Sequence, residues 1–217
     1  ESLERLKSGK RAGDYGLLAR GDEIASLASF YAVLGPFHDG KWDKPEGSSM
    51  GDLGADRLSH VRARVLAPAN AKVVSSGISS QSASIAAGDA GLRRETLIRA
   101  AMVRDFALLV SSRFESASRK VGDVEVRSHF VERDKEAGAR VLEAAASSLA
   151  TYEKVFGRYP CVDLDVVEAP LVGGAGGVEF SGLVTVASML YRPALSEGPM
   201  GMLAGLLGGA GHDARVK

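Results

Sequence analysis

This chain of 217 residues has few cysteines and aromatic residues and no net charge. Its single cysteine, Cys161, excludes a disulfide within the chain. Lys+Arg and Asp+Glu number 27 each, so the formal net charge is +0. Because nucleic acids and anionic membranes select for a basic excess, this balance argues against either partner. Cys161 follows a proline, and the sequence offers it no obvious neighbouring base. We therefore interpret it as a small buried hydrophobic residue and not as a nucleophile.

Long hydrophobic runs are also missing. The longest apolar stretch, residues 199–210, is interrupted by glycine and is too short to cross about 30 Å of hydrocarbon, so we predict no transmembrane segment in this chain. The chain begins at Glu1 with no signal peptide before it. The compartment is therefore unknown from the sequence, and an extracytoplasmic location after processing is one alternative that stays open.

What the amino-terminal part does contain is a series of short strand patterns separated by turn residues. Residues 60–66 and 124–130 alternate between apolar and polar side chains, residues 72–75 are a second short strand pattern, and residues 106–111 are predicted as a strand buried on both faces. Such a series predicts an antiparallel β-sandwich. The serine-rich stretch at 75–82 is interpreted as an exposed loop.

The pattern changes near residue 132. Asp134 is a candidate N-cap, and apolar residues at helical spacing then predict a helix of about six turns that ends at Gly157. Strands are predicted at 164–168 and 182–186, with a glycine-rich turn at 173–177 between them. We therefore predict an α+β, mainly β chain with an amino-terminal sandwich domain at 1–132 and a second domain at 133–217.

Three stretches, in this order, resemble the aminopeptidase N family of gluzincin zinc metallopeptidases. Residues 152–160 contain F-G-x-Y-P, residues 164–170 contain L-D-x-V-x-x-P, and residues 176–180 stand where the family carries G-x-M-E-N. The resemblance is specific over 152–187 and loose elsewhere. It implies that the sandwich is followed by the opening helix and strands of a thermolysin-like catalytic domain, and that the complete protein removes amino-terminal residues from peptides.

The third stretch supplies the candidate substrate-binding residues. By resemblance, Glu179 anchors the substrate amine, and Gly176 and Gly177 line the substrate-binding edge next to Val178, which replaces the family's usual methionine. The chemistry fits independently, because a carboxylate binds an α-ammonium by a charge-assisted hydrogen bond and glycines let a peptide approach the backbone. Phe180 departs from the motif. Without the flanking motifs, a glutamate beside a glycine turn is more commonly a solvated surface residue.

Zinc ligands are missing from the sequence. The family binds zinc through H-E-x-x-H on a helix plus a glutamate on the next helix. No two of the four histidines are four residues apart and none precedes a glutamate; they are His38, His60, His129 and His212. We therefore predict neither a metal ligand nor a catalytic residue in this chain, and zinc is expected only in the complete protein. Asp163 and Asp165 are interpreted as charges on the solvated side of a strand.

Three functions stay open at this stage. The first is a fragment of a zinc aminopeptidase whose partner is a peptide substrate and whose zinc lies in a missing carboxy-terminal region or in a second chain. The second is a non-catalytic peptide- or protein-binding module derived from the same fold. The third is a β-rich interaction domain whose likeness to peptidases is accidental. In the first case, apolar surface at 183–207 is expected to be exposed and to cause association with a partner or with itself.

Overall fold

The computed structural model describes residues 15–21, 23–28, 30–35, 37–42, 58–86 and 91–192. Predictions for His212, for the apolar stretch at 199–210 and for the rest of 193–217 lie outside the described residues. Strands dominate the described chain, beside one long helix, which confirms a mainly β chain of the α+β class. None of the helices in these ranges is both long enough and apolar enough to cross a membrane.

The described residues form fourteen strands and two α-helices. The strands are β1 Leu18–Arg20, β2 Ala25–Ala28, β3 Phe37–His38, β4 Lys41–Trp42, β5 Ser59–Pro68, β6 Lys72–Ser75, β7 Ile78–Ala86, β8 Leu92–Val103, β9 Ala107–Ser111, β10 Phe114–Val121, β11 Val124–Val131, β12 Asp163–Ala169, β13 Gly177–Phe180 and β14 Leu183–Ala187. The helices are α1 Lys135–Phe156 and α2 Ser188–Tyr191.

The strands form three main sheets and a small β3–β4 hairpin. One sheet has the order β5-β8-β7 and another the order β1-β2-β9-β6, and both are antiparallel, as predicted for the amino-terminal part. The third sheet has the order β10-β11-β12-β14-β13 and is mixed. The prediction of a loop at 75–82 is wrong, because β7 begins at Ile78 and pairs with β8.

The four-stranded sheet is the inner layer of the molecule. Along β9, Leu108 faces a core that includes Ile98 of the three-stranded sheet, whereas Leu109 faces a core that includes Val167 and Leu183 of the mixed sheet. Because successive side chains of a strand point to opposite faces, the inner sheet packs against one sheet on each of its faces. The two cores connect all three sheets.

Helix α1 covers the opposite face of the mixed sheet. It has 22 residues, begins after Asp134 and ends at Gly157, whose φ of 92° lies in the left-handed region, so the predicted bounds are confirmed. Leu142 and Leu149 pack against Val124 and Val126 of β11. Asp134 occupies the N-cap position but makes no side-chain capping hydrogen bond.

The mixed sheet spans residue 132, where the sequence predicts a boundary between two domains. Its strands β10 and β11 precede that residue, and β12 follows it. Strands β11 and β12 are parallel neighbours, so the chain must cross from one end of the sheet to the other, and α1 makes that crossing.

Candidate functional site at an edge strand

The predicted substrate-binding residues lie in and beside β13, at one edge of the mixed sheet. Strand β13 pairs with β14 alone among the described strands. The glycine-rich turn occurs before it, where Gly173 and Gly174 have φ values of 68° and 85°. Gly177 belongs to the strand, although the sequence analysis predicted it as the end of the turn. An edge strand offers a row of backbone groups to another chain.

The backbone of β13 presents two residues to its open edge. The Ala187 N–H donates to the Gly176 carbonyl oxygen at 2.9 Å. Gly176 and Ala187 are therefore a hydrogen-bonded pair of the antiparallel ladder between β13 and β14. Hydrogen-bonded and non-hydrogen-bonded pairs alternate in an antiparallel ladder, so Gly177 and Glu179 direct their N–H and C=O groups away from β14. These groups can pair with an extended peptide.

The side chains of β13 divide between the two faces of the sheet. Val178 and Phe180 pack against the core that joins the mixed and inner sheets. Glu179 therefore points to the α1 side, next to its cross-strand partner Val184, and is exposed. Its carboxylate has no hydrogen-bond or ion-pair partner within the described ranges. A free carboxylate in this position is able to accept a charge-assisted hydrogen bond from an ammonium group.

The two glycines differ in what the fold requires of them. A Cβ atom at Gly177 would lie 2.9 Å from the Thr185 carbonyl oxygen of β14, closer than a real Cβ atom approaches an oxygen. A Cβ atom at Gly176 would meet only Leu190 Cδ1, at an ordinary 3.6 Å. The close pairing of β13 with β14 thus depends on glycine at position 177 but not at 176.

An open apolar trough runs between α1 and the same face of the mixed sheet. It has a volume of about 740 Å³. Its walls include Tyr152 and Phe156 of α1 and Val184 and Val186 of β14. Phe156 is 80% exposed and Tyr152 beside it 58% exposed, an unusual state for large apolar side chains at the end of a helix. The trough and the Glu179 carboxylate therefore share one side of the sheet.

The turn between β13 and β14 is tied to the inner layer. The Ser181 N–H donates to Asp105 Oδ1 at 2.7 Å, and the Arg104 N–H donates to Ser181 Oγ at 3.2 Å. Both partners belong to the connection between β8 and β9. The position of the edge strand is consequently set by the amino-terminal sheets as well as by the mixed sheet.

A buried ionic cluster lies on the other face of the mixed sheet. Arg127 Nε contacts Asp165 Oδ1 at 2.7 Å, His129 Nε2 lies 2.9 Å from the same oxygen, and Asp163 also pairs with Arg127. The interpretation of Asp163 and Asp165 as solvated charges is wrong, because Asp165 is buried and Asp163 largely so. Their cationic partner is remote in sequence, so strand spacing alone did not reveal it.

The environment of this cluster shifts the pKa of both main partners toward the charged form. Burial alone would raise the pKa of Asp165, but hydrogen bonds from His129 and Arg127 outweigh it and lower the pKa below its ordinary value. The hydrogen bond to Asp165 likewise raises the pKa of Arg127. The cluster is therefore charged at neutral pH and joins β11 to β12.

A second buried cluster, which no sequence pattern predicts, lies on the α1 side. Glu168 is completely buried, and its Oε2 accepts a hydrogen bond from the Val131 N–H at 2.9 Å. Arg192 approaches both Glu168 Oε1, at 3.8 Å, and Asp134 Oδ2, at 3.6 Å. Burial raises the pKa of Glu168, and the nearby Asp134 raises it further. The one sequence signal that indicates burial of Glu168 is the run of apolar residues on either side of it.

The residues that the structure describes do not form a metal site. No group of three or more His, Cys, Asp or Glu side chains within the described ranges is arranged to hold a metal ion. His129 is held by Asp165 and by Ser116, whose Oγ lies 2.8 Å from His129 Nδ1. Cys161 is half-exposed, so its prediction as a small buried hydrophobic residue is wrong.

Comparison with known proteins adds no family assignment. No protein-family model matches the chain, and no curated protein matches it significantly. The likeness to zinc aminopeptidases therefore rests on the three motif stretches alone.

Proposed function

We propose that this chain carries the amine-recognition part of a zinc-dependent aminopeptidase-like protein. The observation that carries the proposal is the edge of β13, where backbone groups and the Glu179 carboxylate have no partner within the described ranges. The order of antiparallel sheets, long helix and mixed sheet is also the order that the motif resemblance implies, and it supports the same proposal.

The chain's own residues act by binding and orienting the substrate. An extended peptide adds to the sheet beside β13 through the backbone of Gly177 and Glu179. The Glu179 carboxylate accepts a hydrogen bond from the terminal ammonium of this peptide, which favours a peptide whose amino terminus lies at that point. Glycine at position 177 lets β13 lie close to β14.

The metal and the catalytic glutamate are assigned to another part of the protein. The described side chains do not fit a zinc ion, and no chemical step is assigned to them. We place the zinc-bearing part in a further segment or a second chain, and the trough beside Val184 and Phe156 is the apolar surface against which it packs. In that arrangement the metal part and Glu179 share one side of the sheet.

A second candidate function is peptide binding without cleavage. The edge of β13 and Glu179 are sufficient to hold a free amino terminus without a metal, so the same geometry supports a binding module derived from a peptidase. The third alternative, a β-rich interaction domain unrelated to peptidases, predicts no preference for a free amine.

Isothermal titration with a free and an amino-acetylated tetra-alanine peptide tests the amine recognition. We expect the free peptide to bind about tenfold or more tightly, since a hydrogen bond to a charged group contributes on the order of 1.5–3 kcal/mol. Glu179→Gln should remove the difference. Glu115→Gln is the matched control, because Glu115 lies on the opposite edge strand and on the same face of the sheet, and it should retain the preference.

The outcomes separate the three functions. Equal binding of both peptides to the native chain would remove Glu179 from amine recognition and favour an unrelated interaction domain. A preference for the free peptide, without hydrolysis by the zinc-loaded chain, supports recognition of the amine. Hydrolysis that appears only when a metal-bearing partner or a longer chain is present identifies the aminopeptidase, and its absence there favours the binding module.

A further inference from the structure

A second cleft lies at the end of the three-stranded sheet, beside the turn that joins β13 to β14. It has a volume of about 880 Å³. One wall comes from the ends of β5, β7 and β8, and the other from residues 160–163 and the turn at 181–182. It therefore lies where the amino-terminal sheets meet the mixed sheet.

Two arginines stand opposite each other in the first wall. Arg62 of β5 and Arg99 of β8 are direct cross-strand partners, and both are exposed. Neither forms an ion pair with an acidic residue in the described part of the chain. Two residues along β5, Arg64 is paired with Glu95 at 2.8 Å. Like charges directly opposite each other destabilise a sheet, so the sheet itself gains nothing from the Arg62–Arg99 pair.

Apolar side chains adjoin the arginine pair. Ile78 of β7 is the cross-strand partner of Arg99 on its other side and is 62% exposed, and Leu97 and Val162 also line the cleft and are exposed. Gly77 brings β7 close to β8 here, because a Cβ atom at its φ of 88° would lie 2.6 Å from the Arg99 carbonyl oxygen. The cleft thus presents two cations next to an apolar surface.

We propose that this cleft binds a small organic anion whose carboxylate or phosphate is held by Arg62 and Arg99 and whose apolar body lies against Ile78 and Leu97. Guanidinium groups bind the paired oxygens of both anions in a bidentate manner, and a bound anion removes the repulsion between the two arginines. The site is separate from β13 and does not depend on the function proposed for that strand.

The chain's only cysteine provides a reporter for this site. Cys161 is half-exposed and lines the wall opposite the arginines. The rate at which the neutral reagent N-ethylmaleimide modifies Cys161 is measured against increasing phenyl phosphate or phenylacetate. Phenylacetamide is the uncharged control ligand. We expect one or both anions to slow the modification saturably and phenylacetamide to have no such effect.

Arginine variants then locate the binding. Arg62→Gln and Arg99→Gln should each weaken the protection about tenfold or more, whereas Arg64→Gln, on the same face of the same strand, should leave it within about twofold, since Arg64 is engaged by Glu95. The anion that protects at the lower concentration identifies the phosphate or carboxylate class. The proposal is overturned if neither anion protects Cys161 in the native chain, or if phenylacetamide protects it equally well. It is also overturned if protection is unchanged in both Arg62→Gln and Arg99→Gln.

Discussion

Arg127 and Asp165 form the best-connected charged pair in the described part of the molecule. Both lie between the mixed and inner sheets, and Asp165 also contacts His129. A buried ion pair gives little net stability compared with apolar packing, but removing one partner leaves the other without compensation. The carboxylate is therefore expected to be sensitive to substitution although it takes no part in the proposed site.

Replacing Asp165 with asparagine should destabilise the chain by about 2–3 kcal/mol, less than for a fully enclosed pair because Arg127 keeps some solvent contact and also pairs with Asp163. Urea denaturation at pH 7 measures the change. Glu143→Gln is the matched control, since Glu143 pairs with Arg119 on the surface and should matter by less than about 0.5 kcal/mol. Equal losses in both variants would contradict a special role for the buried pair.

The same variant has a predictable pH dependence. The pKa of Asp165 is lowered in the folded chain, so its stabilising effect is fully present above the unfolded value of about 3.9 and is lost as the pH falls through the folded value. The difference in unfolding free energy between the native chain and Asp165→Asn should be present at pH 7 and shrink below about pH 4. A difference that stays constant at low pH would contradict the lowered pKa.

Glu168 should behave in the opposite way. Its pKa is raised, so the folded chain still holds a proton that the unfolded chain releases at about pH 4.3, and the contribution of Glu168 to stability falls as the pH rises above that point. Glu168→Gln should therefore gain stability relative to the native chain between pH 4 and 7. Urea denaturation across this range, with Glu136→Gln to account for the loss of one charge, checks the sign.

At the level of elements, the two neighbouring glycines at the start of β13 should respond differently to substitution by alanine. Gly177→Ala should push β13 away from β14, since its Cβ would meet the Thr185 carbonyl oxygen, and should cost on the order of 1–3 kcal/mol in stability. Binding of the free tetra-alanine peptide should weaken as well. Gly176→Ala has ordinary space and is the control, expected to keep native affinity. Similar behaviour of the two variants would show that the close pairing is not needed.

The sequence predicts some elements well because their signals are local. Helix α1 was predicted correctly from the spacing of its apolar residues and from Gly157 at its end. Strand β7 was missed because its first half is mostly serine, and the pairing with β8 that holds it comes from residues elsewhere in the chain. The strand conformation of β7 therefore depends more on its pairing with β8 than on the strand propensity of its own residues.

The candidate site was predictable only in part. Glu179 and its glycines were identified by motif resemblance, but their position on an edge strand depends on the sheet order, which places β14 between β12 and β13. The partners of Asp165 and the surroundings of Glu168 likewise come from strands that meet only after folding. Contacts of this kind leave no periodic pattern in the sequence.

At the scale of the whole molecule, the inner sheet shares a core with the sheet on each side. The described sheets should therefore unfold as one cooperative unit, in spite of the domain boundary that the sequence predicts at residue 132. Differential scanning calorimetry should give one transition whose calorimetric and van't Hoff enthalpies agree. Two resolved transitions would show that the sheets are stable separately.

The order of strands in the mixed sheet also has a consequence for protein synthesis. Strand β13 is translated before β14, yet β14 is its only neighbour among the described strands and occupies the place between it and β12. When Phe180 has been added to the growing chain, Gly176, Gly177 and Glu179 are already present. The strand with which they pair, β14, has not yet been synthesised. A nascent chain stopped before Leu183 would hold each of these candidate substrate-binding residues and yet have no assembled edge to offer a peptide.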